Sequence, residues 1–280
     1  MRIDLHMHST ASDGVYSPAE VVQIALTNNM DVIALTDHDT GNGLAEAQHA
    51  AALTQLEVLS GCELSSEDKN GDRHILGYLY NLNNVPLQQM FTELREARVN
   101  RADRIVEKLH GLGVDVSLDR VYALAGSGSV GRPHVARAMF EQGIVGSLQE
   151  AFDKYLYDDG PAYVPHARLT PEGAIKLLHA AGGVAVLAHP GRYKDPYGPI
   201  IESLVPLGLD GIEVYYPDHT PTVIKDLRAI AQRHNLLITV GSDFHRREGD
   251  GSARIGTVYS PPDLEIVKAL MERAASYRLS

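Results

Sequence analysis

The run VIALTDHD, residues 32–39, carries four apolar residues in succession straight into an Asp-His-Asp trio. A half-buried strand alternates apolar and polar side chains, whereas consecutive apolar residues suit a strand covered on both faces. Such a strand belongs in a parallel sheet flanked by helices. Its end is the unusual part. Charged side chains at the exit of a buried strand are costly unless they are solvated, paired or bound to cations.

The same pattern recurs outward from this stretch. Strands are expected near residues 2–8, 57–62, 183–189, 211–215 and 236–242 as well as 32–37, with helices near 18–28, 43–53, 171–181, 197–206 and 221–234. Repeated strand–helix units imply an α/β fold with a parallel sheet, either open or closed into a barrel. The segment HILGYLY, residues 74–80, adds a strand paired through a turn at Asn70-Gly71. Between 86 and 165 the rhythm breaks into a long helix to about 111 and short helices near 118–125, 133–142 and 148–157. That region is expected to be a helical, substrate-binding module inserted between the α/β segments 1–85 and 166–280.

Composition narrows the classes. At 280 residues, 44% hydrophobic and 22% charged, the chain is ordinary globular protein, one large domain or one with an insertion. Apolar runs such as 185–188 fall far short of the roughly 20 residues a bilayer needs, so no membrane span is expected. The opening MRIDLHMHST has no basic n-region and apolar core, and the one cysteine, Cys62, excludes an internal disulfide framework; both fit a reducing cytoplasm. A net charge of -11 makes duplex DNA a poor partner, because counterion release rewards many basic contacts. Thirteen histidines against no tryptophan is the compositional oddity.

Six of those histidines fall at or just after strand exits. His6 and His8 sit two apart on the first strand and so share a face, and Asp13 follows in the next loop. His38 lies in TDHD, Glu63 closes the third strand, His74 follows the hairpin, and His189 closes VAVLA. Asp243 and His245 end the last strand, again two apart. Each alone is a weak signal, since a capping or core histidine is common. Together they gather on the C-terminal edge of the strands, where loops of parallel α/β folds converge on one cavity. Nine donors exceed the four to six of a single ion, so two or three divalent ions are the natural count. Imidazole and carboxylate without thiolate favour Mn²⁺, Fe²⁺ or Zn²⁺. Three carboxylates and six neutral imidazoles would leave a metal-loaded cluster positive, a trap for phosphate.

With HxH, TDH, the glutamate after strand three, the late His-Pro and the terminal SDxH in place, the chain resembles the PHP (polymerase and histidinol phosphatase) family over about residues 1–85 and 165–260. The resemblance implies a distorted (β/α)7 TIM-like barrel, three metals with Mn²⁺ ahead of Fe²⁺ or Zn²⁺, and phosphoester hydrolysis. It would place His6, His8, Glu63 and Asp243 on one metal, Glu63, His74 and His189 on a second, and Asp13, His38 and His245 on the third. The helical insertion is similar to the branch that removes the 3′-phosphate of nucleoside 3′,5′-bisphosphates and trims short RNA from its 5′ end. Histidinol-phosphate phosphatase is the competing enzyme, and a non-catalytic metal or nucleotide sensor the competing class.

Specificity is expected from GSGSVGRPH, residues 126–134, a loop running into a helix with proline at its first turn. Such a helix start offers N–H groups to an anion and Arg132 a bidentate donor, so Ser129, Arg132 and His134 are candidates for the substrate's 5′-phosphate. Arg192 is a second phosphate candidate on the rim, with Lys194 weaker. Asp243 and His245 are the catalytic candidates of the metal site; the leaving oxygen takes its proton from that site or from His134, and the sequence leaves both open. Arg95, Arg98, Arg101, Arg104 and Lys108, interleaved with acids at helical spacing, are expected to form a solvated, salt-bridged face. Tyr215 and Tyr216 are expected to stack on a base or pack at the rim.

Overall fold

In the computed structural model, described for residues 1–69, 71–126, 128–157, 159–165, 169–246, 255–258 and 265–278, strands and helices alternate as the hydrophobic runs require. The order begins β1 (Ile3–Asp4), α1 (Pro18–Thr27), β2 (Val32–Leu35), α2 (Leu44–Ala51), β3 (Glu57–Asp68) and β4 (Gly71–Tyr78). Four helices follow without a strand: α3 (Val85–Gly111), α4 (Leu118–Ala125), α5 (Arg132–Glu141) and α6 (Leu148–Ala151), the last running into a π turn at Phe152–Leu156. Alternation resumes with α7 (Pro171–Ala180), β5 (Val184–Leu187), α8 (Tyr197–Leu204), β6 (Gly211–Tyr215), α9 (Pro221–His234), β7 (Leu237–Val240) and α10 (Ile266–Arg278).

Local chemistry starts these helices. Ser17 accepts the Glu20 N–H while the Glu20 carboxylate accepts the Ser17 N–H, a capping box with Pro18 in the first turn of α1. Asn84, Thr170 and Thr220 each accept a first-turn N–H of α3, α7 and α9, and each of those helices has proline in its first turn.

The sheet has seven strands in sequence order, parallel at β1–β2, β2–β3, β5–β6 and β6–β7 and antiparallel on both sides of β4. Beyond β1 the chain stays beside the end of β7: the Leu5 N–H donates to the Val240 carbonyl at 2.9 Å, and Met7 pairs with Phe244. β3 and β4 are longer than the apolar runs suggest, because residues 61–68 pair with 71–78 across a hairpin whose polar half faces the cavity described below. Asn70, expected in that turn, lies outside the described residues, as does Ser127 of the expected specificity loop.

Two apolar clusters form. The larger contains the strands and the helices flanking them, and it includes Leu87, Phe91 and Leu94 from the first half of α3. The second runs from Ala102 to Val164 and is built by the rest of α3, α4, α5, α6 and the π turn. α3 therefore belongs to both, which makes it the rigid link between them. No helix among the described residues is long and apolar enough to cross a membrane.

The C-terminal helix α10, which hydrophobic spacing did not suggest, is tied down by Asp210. This buried carboxylate accepts from the Ala185 N–H, His179 Nε2, Arg273 Nη1 and Tyr277 Oη at 2.6–2.9 Å. Burial alone would raise its pKa; these donors outweigh it and hold the carboxyl below its usual value. A depressed folded-state pKa contributes stability above the unfolded value, lost as pH falls through the folded one. Asp210→Ala is expected to cost roughly 3 kcal/mol in urea denaturation at neutral pH, with the gap to wild type narrowing below pH about 4.

Candidate metal centre

Glu63 is delivered to the rim because β3 continues past the sheet's apolar centre. Its carboxylate is buried among imidazoles from four elements. Oε2 lies 3.3 Å from His6 Nε2, 3.2 Å from His8 Nε2 and 3.2 Å from His38 Nδ1. Oε1 lies 2.7 Å from His74 Nδ1 and 3.2 Å from His189 Nε2. Asp243 Oδ1 closes the first group, 3.4 Å from His6 Nε2 and 3.2 Å from His8 Nε2. Asp13 gathers a further group at 3.3 Å from His245 Nε2, 3.7 Å from His8 Nδ1 and 3.8 Å from His38 Nε2. All nine residues expected from the strand-exit pattern thus meet in one place.

Three sets have ligand atoms within 4.8 Å of one another: His6, His8, Glu63 and Asp243; His38, Glu63 and His74; and His8, Asp13, His38 and His245. The first matches the partition that the family resemblance implies. In the others His38 lies beside both Glu63 and Asp13, and His8 reaches two groups.

The nitrogen atoms themselves argue for cations. His6 Nε2, both ring nitrogens of His8, and His38 Nδ1 are buried without a hydrogen-bond partner among the described residues, although carboxylate oxygens stand 3.2–3.4 Å from His6, His8 and His38. Buried polar atoms are normally paired. Lone pairs converging on shared points without hydrogen-bond geometry are what a chelating set presents. Burial opposes charge on His8, yet Asp243 and Glu63 hold its pKa up at about 10. Burial likewise pushes the Glu63 and Asp243 carboxyls up, but the surrounding imidazoles keep both well below their usual range. The carboxylates that favour positive charge on His8 also favour a cation beside it.

A second tier aims these ligands, and most of it is invisible in the strand-exit pattern. Glu213, fully buried in β6, accepts from His6 Nδ1 at 3.0 Å, which turns Nε2 toward Glu63; its other oxygen accepts the His189 N–H at 2.8 Å. Gly241 makes room for this pair, since a Cβ there would stand 2.2 Å from His6 Cβ and 2.5 Å from Glu213 Oε1. Asp37 accepts from the Ser9 N–H, Ser9 Oγ and Ser12 Oγ at 2.6–2.7 Å, fixing the loop that carries Asp13. Tyr216 does not face a base-stacking surface: its hydroxyl donates to Asp243 Oδ2 at 2.9 Å, with Arg192 Nη1 on the same hydroxyl at 2.8 Å. Asp39, His189 and Asp243 all have positive φ (55°, 31° and 54°), so backbone strain concentrates at three strand exits of this one rim.

Beside the cluster opens a cavity of about 630 Å³, the size of a small-molecule site, whose lining includes Arg132, Pro133, Arg192 and Lys194. Arg132 donates to the Leu156 carbonyl at 2.9 Å and stands 3.5 Å from Asp72 Oδ2. The start of α5 offers an anion fewer donors than its sequence suggests: the Gly131 N–H is spent on His134 Nδ1 and the His134 N–H on the Gly131 carbonyl, each at 3.0 Å. His134 is buried next to Asp13 and His245, and burial lowers its pKa. Ser129 is buried and does not line the cavity.

One sequence expectation is overturned. Arg98 and Arg101 are not part of a solvated face; they are 7% and 6% exposed and line the cavity. The signal was present, because 87, 91, 94, 98, 101, 105 and 109 form one buried stripe along α3, and the two arginines occupy core positions in it. Glu213 had a signal too, a lone carboxylate inside the apolar run GIEVY.

The chain is 35% identical to a 3′,5′-nucleoside bisphosphate phosphatase of Chromobacterium violaceum over 94% of its length and 93% of the relative's. It is 34% identical to the 5′-3′ exoribonuclease Rnm of Escherichia coli, over 87% of this chain and 85% of that one. Among solved structures, a Bifidobacterium adolescentis protein assigned by inference as a metal-dependent phosphoesterase superimposes with a TM-score of 0.87 at 30% identity, covering 97% of this chain and 96% of the other. Residues 4–157 match the PHP domain, and with these relatives that match establishes that the chain belongs to the PHP domain family.

Proposed function

We propose that this chain is a metal-dependent phosphohydrolase that removes the 3′-phosphate of nucleoside 3′,5′-bisphosphates, giving the nucleoside 5′-monophosphate and phosphate. The same chemistry would trim short 5′-phosphorylated RNA from the 5′ end. The observation that carries the reading is the convergence of nine donors around Glu63, Asp243 and Asp13 at a cavity whose lining also carries Arg98, Arg101, Arg132 and Arg192. The relatives named bisphosphate phosphatase and exoribonuclease favour a nucleotide over histidinol phosphate. A sensor would have no use for the whole donor set.

Three dications, Mn²⁺ ahead of Fe²⁺ or Zn²⁺, suit three overlapping donor groups of imidazole and carboxylate without thiolate. When bound, they supply Lewis acidity and lower the pKa of coordinated water from about 15.7 toward 7. His6, His8, Asp13, His38, Glu63, His74, His189, Asp243 and His245 would hold them. The hydrogen bonds from Leu5 and His8 to the end of β7 and beyond support a sheet that closes as a distorted (β/α)7 barrel, which would fix these donors in one ring.

The chain's own residues would do the rest. Arg132 receives the retained 5′-phosphate at the cavity wall, with the buried Ser129 just ahead of it in sequence and Arg192, which lines the same cavity, as a second phosphate donor. His134, neutral and with Nδ1 engaged by the Gly131 N–H, presents Nε2–H toward the leaving oxygen. Asp243 and His245 serve the reaction as catalytic metal ligands.

Asp243→Asn should lower kcat/KM by more than about a hundredfold while circular dichroism and melting temperature stay near wild type, since even outer residues of such sites cost 10- to 100-fold; retained turnover would contradict the assignment. Glu213→Gln should weaken Mn²⁺ binding by roughly 10- to 100-fold in calorimetric titration, because glutamine leaves one neutral acceptor oxygen for two donors, His6 Nδ1 and the His189 N–H. Arg132→Ala should raise KM for adenosine 3′,5′-bisphosphate by roughly tenfold and for an aryl phosphate far less. Equal effects on both substrates would remove Arg132 from phosphate recognition.

A further inference from the structure

Helix α3 sets two guanidiniums on consecutive turns against the cavity, and the environment of each is built. Arg98 donates from Nε to Asp39 Oδ2 at 2.5 Å and from Nη2 to Ser65 Oγ at 2.6 Å. Asp39 is itself fixed, its Oδ1 accepting the Ser65 N–H at 2.8 Å. Two of the three guanidinium nitrogens are thereby committed to the barrel, and Nη1 is left on the side of Gly131, at the start of α5. Gly131 has φ -149° and ψ 175°, extended backbone that any residue adopts, so glycine is not required there by conformation. What a side chain would do is crowd the guanidinium: a Cβ would sit 3.3 Å from Arg98 Nη1. The glycine keeps the approach to that nitrogen open.

Arg101, one turn on, donates from Nε to the Val164 carbonyl at 2.6 Å, and its guanidinium lies 5.8 Å from the Tyr163 ring centre. Burial, with repulsion from Arg132 and Arg98, lowers its pKa to about 10 against the opposing pull of Asp72. Buried guanidiniums that repel one another at a cavity wall are an expense that an anion offsets. The order along the wall runs from the donor cluster outward: Arg98 is close enough to Glu63 and Asp13 to feel their charge, whereas Arg101 stands beside Arg132 and Asp72. Residues three apart on a helix have Cβ atoms roughly 5–6 Å apart, so the two fork groups address separate oxyanions.

We propose that Arg98 and Arg101 are specificity-determining residues of this site: Arg98 contacts the phosphate under attack through Nη1, and Arg101 contacts the phosphate the product keeps. The assignment rests on the bisphosphate reading above and adds the residues that make a second phosphate necessary. A purely structural role would instead have Arg98 tie α3 to the barrel and Arg101 tie it to Val164.

Steady-state kinetics on adenosine 3′,5′-bisphosphate and adenosine 3′-monophosphate separate the two. Arg101→Gln should raise KM for the bisphosphate by roughly ten- to a hundredfold and for the monophosphate by less than about threefold. Loss by the same factor on both substrates, with a lowered melting temperature, would overturn the role of Arg101. Because Arg98→Gln breaks a buried pair, Gly131→Ala is the cleaner probe: it keeps Arg98, Asp39 and Ser65 and narrows only the approach to Nη1. It should lower kcat/KM on both substrates by about tenfold at an unchanged melting temperature; wild-type kcat/KM in that variant would overturn the role of Arg98. If wild type hydrolyses neither nucleotide, the bisphosphate reading fails by itself, and calorimetric titration with adenosine 3′,5′-bisphosphate still decides. Weaker binding to Arg101→Gln than to wild type supports the subsite, and equal binding removes it.

Discussion

A single buried carboxylate organises this protein. Glu63 has almost no contact with solvent, and both of its oxygens face imidazole nitrogens, His74 and His189 on one side and His6, His8 and His38 on the other. An isolated carboxylate at that depth would cost many kcal/mol. The fold therefore has to bring positive or polarisable partners to it from β1, β2, β4 and β5 at once, and parallel strands leaving on the same edge are the arrangement that does so. The antiparallel β4 fits the same demand, since its pairing with β3 and β5 brings His74 to the Glu63 oxygen that His189 also faces.

Rigidity of the ligands comes from a tier behind them. Glu213 orients His6 and holds the backbone at His189; Asp37 holds the loop bearing Asp13; Tyr216 and Arg192 hold Asp243. Positive φ at Asp39, His189 and Asp243 shows that the backbone at these exits is bent to suit side-chain direction. An acidic chain of net charge -11 nonetheless places Arg98, Arg101, Arg132 and Arg192 around one cavity. Carboxylates share that lining, among them Asp72 and Asp195, so basic and acidic side chains alternate around the cavity.

The elements with strong periodicity were legible. β2, α4 and α9 follow from their apolar runs and caps, and every donor at a strand exit could be named because a charge there has few inexpensive explanations. Strand ends were less so: β1 is only Ile3–Asp4, and the residues after it pair through isolated contacts with the end of β7 and beyond, Leu5 with Val240 and Met7 with Phe244. α10 was missed because its anchor, Asp210, lies far away in sequence. Arg98 and Arg101 were misread because charge outweighed position. Arginine in a helix with neighbouring acids looks solvated, and only the buried stripe from Leu87 to Leu109 shows that both point inward. Glu213 stood out as a lone carboxylate within GIEVY, but its partners His6 and His189, like the Asp243 partner of Tyr216, lie across the sheet and no local spacing names them.

Glu63 belongs to two of the three donor groups and would be shared by more than one cation. The most direct test is anomalous scattering from crystals of the protein loaded with Mn²⁺, with the metal-to-protein ratio measured on the same sample. More than one ion per chain, with Glu63 contacting two of them through opposite oxygens, is the predicted result. A single ion that leaves either side of Glu63 without a metal neighbour would contradict it.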